Sequence, residues 1–328
     1  MHAPLLRVRT SALLAALVLS VAAIPATLAG TPFSKIVVFG DSLNDRGNML
    51  QFTQGAFPAP PTYTLGRQSN GQLWVEYLAG RLGMSDKILN YAVVGAMTKP
   101  APGFPTGNVW SDTYGGLQGT DVASQVLDYL GDFQGRADPA ALFILEGGAN
   151  DFPRVANPAV IVGNLIESLV TLQAAGAKHI VVMLMPDIGK TPRALMAEAA
   201  GLIPPGSAAF YSAVCQQLNQ ALLAALPTYT YPGVTLTIAD TWTFMNRVAA
   251  NPASYGLTDV QRPFLLFGGT GDQSKWLFWD DLHPTTRGHQ IFSEQVVESL
   301  VRSYSPGQGK VGNGAINSLN GLLHSPRR

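Results

Sequence analysis

Five short apolar runs, each cut off by glycine or small polar residues, alternate along the chain with longer stretches of helical period. The runs are Ile36–Phe39 and residues 88–94, 141–145, 179–185 and 234–239. Rich in β-branched and large apolar side chains, and too short for helices, they predict buried strands. Between them, apolar residues recur at three- and four-residue steps. Leu73, Tyr77, Leu78 and Leu82 do so within 72–82. Val122, Val126, Leu127 and Leu130 do so within 121–133, where Asp121 is placed to cap the helix. Further helices are predicted over 158–175, 207–225 and 285–303. Strands and helices that alternate in this way predict an α/β fold, a parallel sheet covered by helices on both faces.

The stretches that break the pattern are as informative. Residues 67–71 are turn-rich, and residues 97–120 are too long and too rich in Gly and Pro for a plain connection. Phe104, Trp110 and Tyr114 make that second stretch apolar, so it either walls a substrate groove or packs on itself as a surface loop. Trp276, Phe278 and Trp279 could line the same groove, or belong to the core. At the amino terminus, Arg7 and Arg9 precede an apolar segment over 12–24, and Thr27-Leu28-Ala29 resembles a cleavage site. Residues 1–29 therefore read as an export signal, the apolar segment being shorter than the ~20 residues a membrane span needs. The mature protein is expected to be secreted or periplasmic, with no integral membrane segment. Residues 30–304 read as one domain, and the Gly-, Ser- and Asn-rich residues 305–328 as a poorly ordered tail.

Composition narrows the function classes. The 328 residues are 47% hydrophobic and 13% charged with zero formal net charge, which supplies no basic footprint for nucleic acid. The single cysteine, Cys215, lies in an apolar helical pattern, where it reads as a core residue without a disulfide partner.

Candidate chemistry collects at the strand ends. The first run passes into Gly40-Asp41-Ser42-Leu43, the second ends at Gly95, and the third ends in Glu146-Gly147-Gly148-Ala149-Asn150-Asp151. In open α/β sheets the carboxyl ends of the strands are where ligands bind. Far downstream stands Trp279-Asp280-Asp281-Leu282-His283-Pro284. A serine is a poor nucleophile until a base takes its proton; histidine is the usual base, and a carboxylate orients it. Asp280 and His283, three apart on one turn, can form that pair. The oxyanion of an acyl-transfer intermediate needs donors already aimed at it. The N–H groups of Ser42 and Gly95 and the side-chain amide of Asn150 could supply three. Each piece alone is ordinary turn or cap chemistry. Together, and in this order, they point to serine catalysis.

These residues resemble the four motif blocks of the SGNH, or GDSL-type, esterases and lipases. Gly40-Asp41-Ser42-Leu43 is similar to the first block, residues 90–95 to the second, Gly148-Ala149-Asn150-Asp151 to the third, and Asp280-Asp281-Leu282-His283 to the last. Gly66-Arg67-Gln68-Ser69-Asn70-Gly71, running on to Trp74-Val75-Glu76, further resembles the secreted bacterial branch with lecithinase- and haemolysin-like enzymes. The resemblance implies a three-layer α/β/α sandwich on a five-stranded, flavodoxin-like parallel sheet. It also implies cofactor-free, metal-free cleavage of acyl esters, lipid esters among them, through an acyl-enzyme. By carry-over, Ser42 is nucleophile and first oxyanion donor, Gly95 and Asn150 complete the hole, His283 is general base and acid, and Asp280 orients it.

Three features depart from the pattern. Val94 stands where many relatives have glycine, narrowing the site while leaving the Gly95 N–H in place. Asp281 beside Asp280 offers a second carboxylate for the same role. Autotransporter members carry a carboxyl-terminal membrane barrel, for which the residues after the last helix are too few, so self-secretion by that route is not expected.

Other readings explain less. An α/β-hydrolase expects Gly-x-Ser-x-Gly at its nucleophile. A metal-dependent phosphoesterase using Asp41, Asp45, Asp151, Asp280 and His283 leaves Gly95 and Asn150 idle. No Gly-x-Gly-x-x-Gly follows a strand to open a nucleotide site. A non-catalytic lipid- or carbohydrate-binding relative would lack Ser42, Asn150 or His283. Acyl transfer from phospholipid to an acceptor other than water would use the same residues and stays open.

Overall fold

The computed structural model describes residues 33–304, apart from 153 and 156. The export signal read at 1–29 and the tail at 305–328 lie outside the described residues. Five strands, β1 (Ile36–Phe39), β2 (Ile88–Asn90), β3 (Leu142–Leu145), β4 (His179–Met183) and β5 (Thr235–Ala239), form one sheet in the order β2-β1-β3-β4-β5. Every pairing is parallel. The register places β1 between β2 and β3, with Ile36 opposite both Ile88 and Leu142. From β1 the chain steps outward to β2, then returns to the other flank for β3. Such a reversal opens a crevice between β1 and β3 at their carboxyl ends.

Among the described residues ten α-helices accompany the strands: α1 (Asn48–Phe52), α2 (Trp74–Arg81), α3 (Ser111–Tyr114), α4 (Val122–Asp132), α5 (Pro158–Ala174), α6 (Pro192–Ala199), α7 (Ser207–Tyr229), α8 (Thr241–Ala250), α9 (Phe264–Phe267) and α10 (Thr286–Tyr304). The two-residue period of β1 sends Val37 and Phe39 to one face of the sheet and Ile36 and Val38 to the other. On the first face they share one core with Val126 and Tyr129 of α4, Leu165 and Leu169 of α5, and Leu218 and Leu222 of α7. On the second they meet Leu78 of α2 and Val297 and Leu300 of α10. Each such side chain contributes roughly 1.5–3 kcal/mol by leaving water. The result is a three-layer α/β/α sandwich of flavodoxin-like order. Cys215 is buried within the α7 layer.

Local differences from the expected elements have physical reasons. Asp121 does cap α4, accepting the N–H of Ser124. The buried stripe of that helix is Val122, Gln125, Val126 and Tyr129, and Leu127, expected on the core face, is exposed. It falls beside the i, i+3, i+4, i+7 stripe, while Gln125 is buried because its amide has backbone partners. The strand expected over 88–94 ends at Asn90. Beyond it the N–H groups of Tyr91 and Val93 still bond Val38 and Gly40, at 2.9 and 3.2 Å, as the chain bends off the sheet. In the stretch 97–120, Trp110 and Tyr114 pack against Phe57 with ring centroids 4.9 and 5.2 Å away. A second, two-stranded parallel sheet, β6 (Asp259–Pro263) with β7 (Trp276–Phe278), was not expected. It carries the Asp280–His283 turn.

Candidate active site

The serine turn is built from backbone groups and buried carboxyls. After β1, Gly40 has both its peptide groups held by one side chain: its N–H donates to Gln125 Oε1 at 2.8 Å, and Gln125 Nε2 donates back to its carbonyl at 2.9 Å. A Cβ at Gly40 would stand 2.5 Å from Asn44 Nδ2 and 2.6 Å from Glu146 Oε2, so only glycine fits there. Asp41 Oδ1 accepts the N–H of Leu43 at 3.0 Å, and its carbonyl accepts those of Asn44 and Asp45. Ser42 sits inside this turn with its own N–H given to no protein acceptor among the described residues.

Asp45 ties this turn to the second motif. It accepts the N–H groups of Gly47, Asn48 and Met49, at 2.7, 2.6 and 3.0 Å, and that of Val94 at 2.8 Å. Burial pushes its carboxyl up to about 6 despite those four donors. Gly95 follows, in left-handed backbone (φ +81), where a Cβ would meet the Trp110 ring at 2.4 Å. Its N–H too has no protein acceptor among the described residues. Val94 is buried and lines the site, leaving the Gly95 N–H in place.

Asn150 follows β3. Its Nδ2 donates to Asp41 Oδ2 at 3.0 Å and to the Ala96 carbonyl at 3.1 Å. Glu146, which sequence reasoning passed over, is buried at the end of the same strand. Its Oε2 accepts the N–H of Asp41 at 3.0 Å and the amide of Asn44 at 2.9 Å. Burial, and then the charge of Asp41, raises the Glu146 carboxyl well above its ordinary range. Two neighbouring buried carboxyls cannot both ionise easily. The only local signal for Glu146 was a carboxyl set directly after an apolar strand.

The remaining part arrives from far along the chain. His283 Nε2 lies 2.9 Å from Ser42 Oγ. Its Nδ1 lies 2.8 Å from Asp280 Oδ2 and 3.0 Å from Oδ1. The turn is closed by Trp279 N–H donating to the His283 carbonyl at 2.8 Å. Burial opposes ionisation of Asp280, but the His283 ring and the N–H groups of His283 and Leu282 overcome it and hold the carboxyl well below its usual range. A carboxylate only accepts, so Nδ1 carries the ring proton and Nε2 is free to accept from Ser42. Asp281 turns away, forked by Arg193 Nε and Nη2 at 3.0 and 2.8 Å. Among the described residues no three His, Cys, Asp or Glu side chains are placed to hold a metal ion.

All five residues singled out from the sequence, Ser42, Gly95, Asn150, Asp280 and His283, line one cavity of about 710 Å³. Of the aromatic residues considered for a groove, Trp110 and Phe278 line it. Phe104, Tyr114, Trp276 and Trp279 do not. Trp279 instead stacks on Phe264, with centroids 5.5 Å apart. Such a cavity can hold an ester with its carbonyl against a serine whose proton has an acceptor in reach. No helix among the described residues is long and apolar enough to cross a membrane.

Known proteins resemble this chain in sequence. The chain is similar to the thermolabile hemolysin of Vibrio parahaemolyticus, 29% identical over 288 residues that cover 81% of this chain and 63% of that protein. It is 29% identical to esterase EstA of Pseudomonas aeruginosa, over 90% of this chain and 51% of the other. It is 31% identical to the phosphatidylcholine-sterol acyltransferase of Aeromonas hydrophila, over 49% of this chain and 47% of the other. The chain thus spans less than two thirds of the length of each. The model of the GDSL-like lipases and acylhydrolases matches residues 36–296, taking in every strand and every residue singled out above. The chain belongs to the GDSL-like lipase/acylhydrolase family.

Proposed function

We propose that this protein is a serine hydrolase of carboxylic esters, lipid esters among its substrates, and that it works through an acyl-enzyme. The observation that carries the reading is the unbroken line from Ser42 Oγ through His283 to Asp280, with contacts of 2.9 and 2.8 Å. Ser42 Oγ attacks the carbonyl carbon as His283 Nε2 takes its proton. The carbonyl oxygen becomes an oxyanion, received by the N–H groups of Ser42 and Gly95 and the amide of Asn150. As the C–O bond to the alcohol breaks, His283 returns the proton to the leaving oxygen. Water, deprotonated by His283, then attacks the acyl group on Ser42; the acid leaves, and the proton returns to Oγ. Asp280 keeps the ring in the required tautomer and supports its charge.

Hydrolysis of a nitrophenyl ester series, acetyl through palmitoyl, tests this in the parent and in Ser42→Ala. Activity in the parent alone supports the reading, and the chain-length optimum identifies the acyl class. Equal rates in both, or none in either folded protein, overturn it.

The likeness to an acyltransferase favours a second reading, in which an alcohol takes the place of water at the acyl-enzyme. Esters formed from added alcohols, measured against free acid, decide between the two outcomes. Residues 1–29 are proposed to direct export. Sequencing the amino terminus of the exported protein tests that, and a start near residue 30 is expected.

A further inference from the structure

Among the described residues Asp280 has one side-chain donor besides His283. Its Oδ1 accepts the N–H groups of Leu282 and His283, at 2.8 and 2.6 Å. Its Oδ2, the oxygen nearer His283 Nδ1, also accepts the hydroxyl of Tyr63 at 2.9 Å. Burial, and then the charge of Asp280, raises the phenol above its ordinary range, so Tyr63 meets the carboxylate as a neutral donor. Its neighbour Thr62 offers a carbonyl to Trp279 Nε1 at 3.1 Å. Two consecutive residues thus clasp Trp279 and Asp280 from a segment 217 positions away.

We propose that Tyr63 is a positioning residue for ester cleavage, its hydroxyl holding Oδ2 of Asp280 in line with Nδ1 of His283. The inference rests on the reading of Ser42, His283 and Asp280 as the reacting set. Oδ1 is fixed by two backbone donors, but without Tyr63 the only partner of Oδ2 among the described residues is the ring it must steer. A carboxylate anchored at one oxygen swings about its Cβ–Cγ bond, and the ring follows. The imidazole would then spend less time 2.9 Å from Ser42 Oγ. The nearest competitor for this role, Arg193, engages Asp281 and reaches neither Asp280 nor the ring by hydrogen bond.

Tyr63→Phe removes one oxygen and keeps the ring that helps line the cavity. Turnover is expected to fall ~10-fold, the scale of one hydrogen bond to a charged group, while KM stays within about twofold because no ground-state contact is lost. The discriminating measurement repeats the change in an Asp280→Asn background. If Tyr63 acts through the carboxylate, its effect there shrinks below about twofold. A tenfold loss that persists in that background overturns the proposal, as does parental turnover in Tyr63→Phe. A rise in KM alone also overturns it, since that would make Tyr63 a substrate contact. Should the phenylalanine variant fail to fold, 4-fluorophenylalanine at position 63 fills the place of the oxygen with no proton to donate to Oδ2. A fall in turnover at constant KM then supports the proposal, and unchanged turnover overturns it. Loss of activity in the parent itself would mark failure of the underlying reading instead.

Discussion

Ser42, Gly95 and Asn150 stand beyond the carboxyl ends of three neighbouring strands, whereas Asp280 and His283 stand on a turn after β7, outside the five-stranded sheet. The first wall is held by backbone N–H groups converging on buried carboxyls: four on Asp45, and one each on Asp41 Oδ1 and Glu146. The second owes its place to side chains from remote segments, Tyr63 and Arg193, with the Thr62 carbonyl. Preorganised donors need a backbone that does not move, and a sheet edge supplies one. A base that must take up and give back a proton twice per turnover needs only its orientation fixed. The two walls therefore should fail in different ways.

The sharpest way to break this contrast is Asp280→Asn. The amide can present a donor to Nδ1 and favour the wrong tautomer, so turnover should fall ~10³–10⁴-fold, as for other serine–histidine sites. Steady-state kinetics with KM little changed is the expected outcome. Turnover near the parent's would mean that Asp281 or a backbone group, not Asp280, orients His283. Asn150→Ala probes the strand-end wall and should lower turnover by ~10²–10³ if its amide serves the oxyanion. In the resting structure both directions of that amide are taken, by Asp41 and by the Ala96 carbonyl. Donation to an oxyanion must therefore share or displace one of these bonds. Parental turnover in the variant would assign the hole to the Ser42 and Gly95 N–H groups alone.

The same contrast explains what could be read from the sequence. The strand-end wall is local: each of its residues follows an apolar run within a few positions, so periodicity locates both strand and site. Glu146 was adjacent to a motif but had no role in view, because its partners Asp41 and Asn44 lie 105 and 102 positions away. The Asp280–His283 turn was legible as a motif, but its support was not. The strand β6 reads Asp-Val-Gln-Arg-Pro, too polar for a buried-strand pattern, and β7 has only three residues. Tyr63 lies in a Pro-rich loop whose composition announces a turn and nothing about Asp280. Contacts across loops leave no period in the chain.

The smallest expected effect tests whether the turn wall relies on charge or on shape. Asp281 lies next to Asp280 in sequence, yet its carboxylate is forked by Arg193 in an ion pair whose side chains are 40% and 56% exposed. Exposed pairs contribute only about 0–1 kcal/mol, and the N–H of Arg193 also bonds the Asp281 carbonyl at 2.7 Å, a contact that survives side-chain replacement. Asp281→Asn keeps the shape and removes the charge, so turnover should stay within about threefold of the parent at moderate salt. Raising the ionic strength should shrink even that difference. A loss comparable to that of Asp280→Asn would mean that the charge of Asp281 is needed to support His283. The turn wall would then be an electrostatic device spread over two carboxylates rather than one carboxylate held in place by its donors.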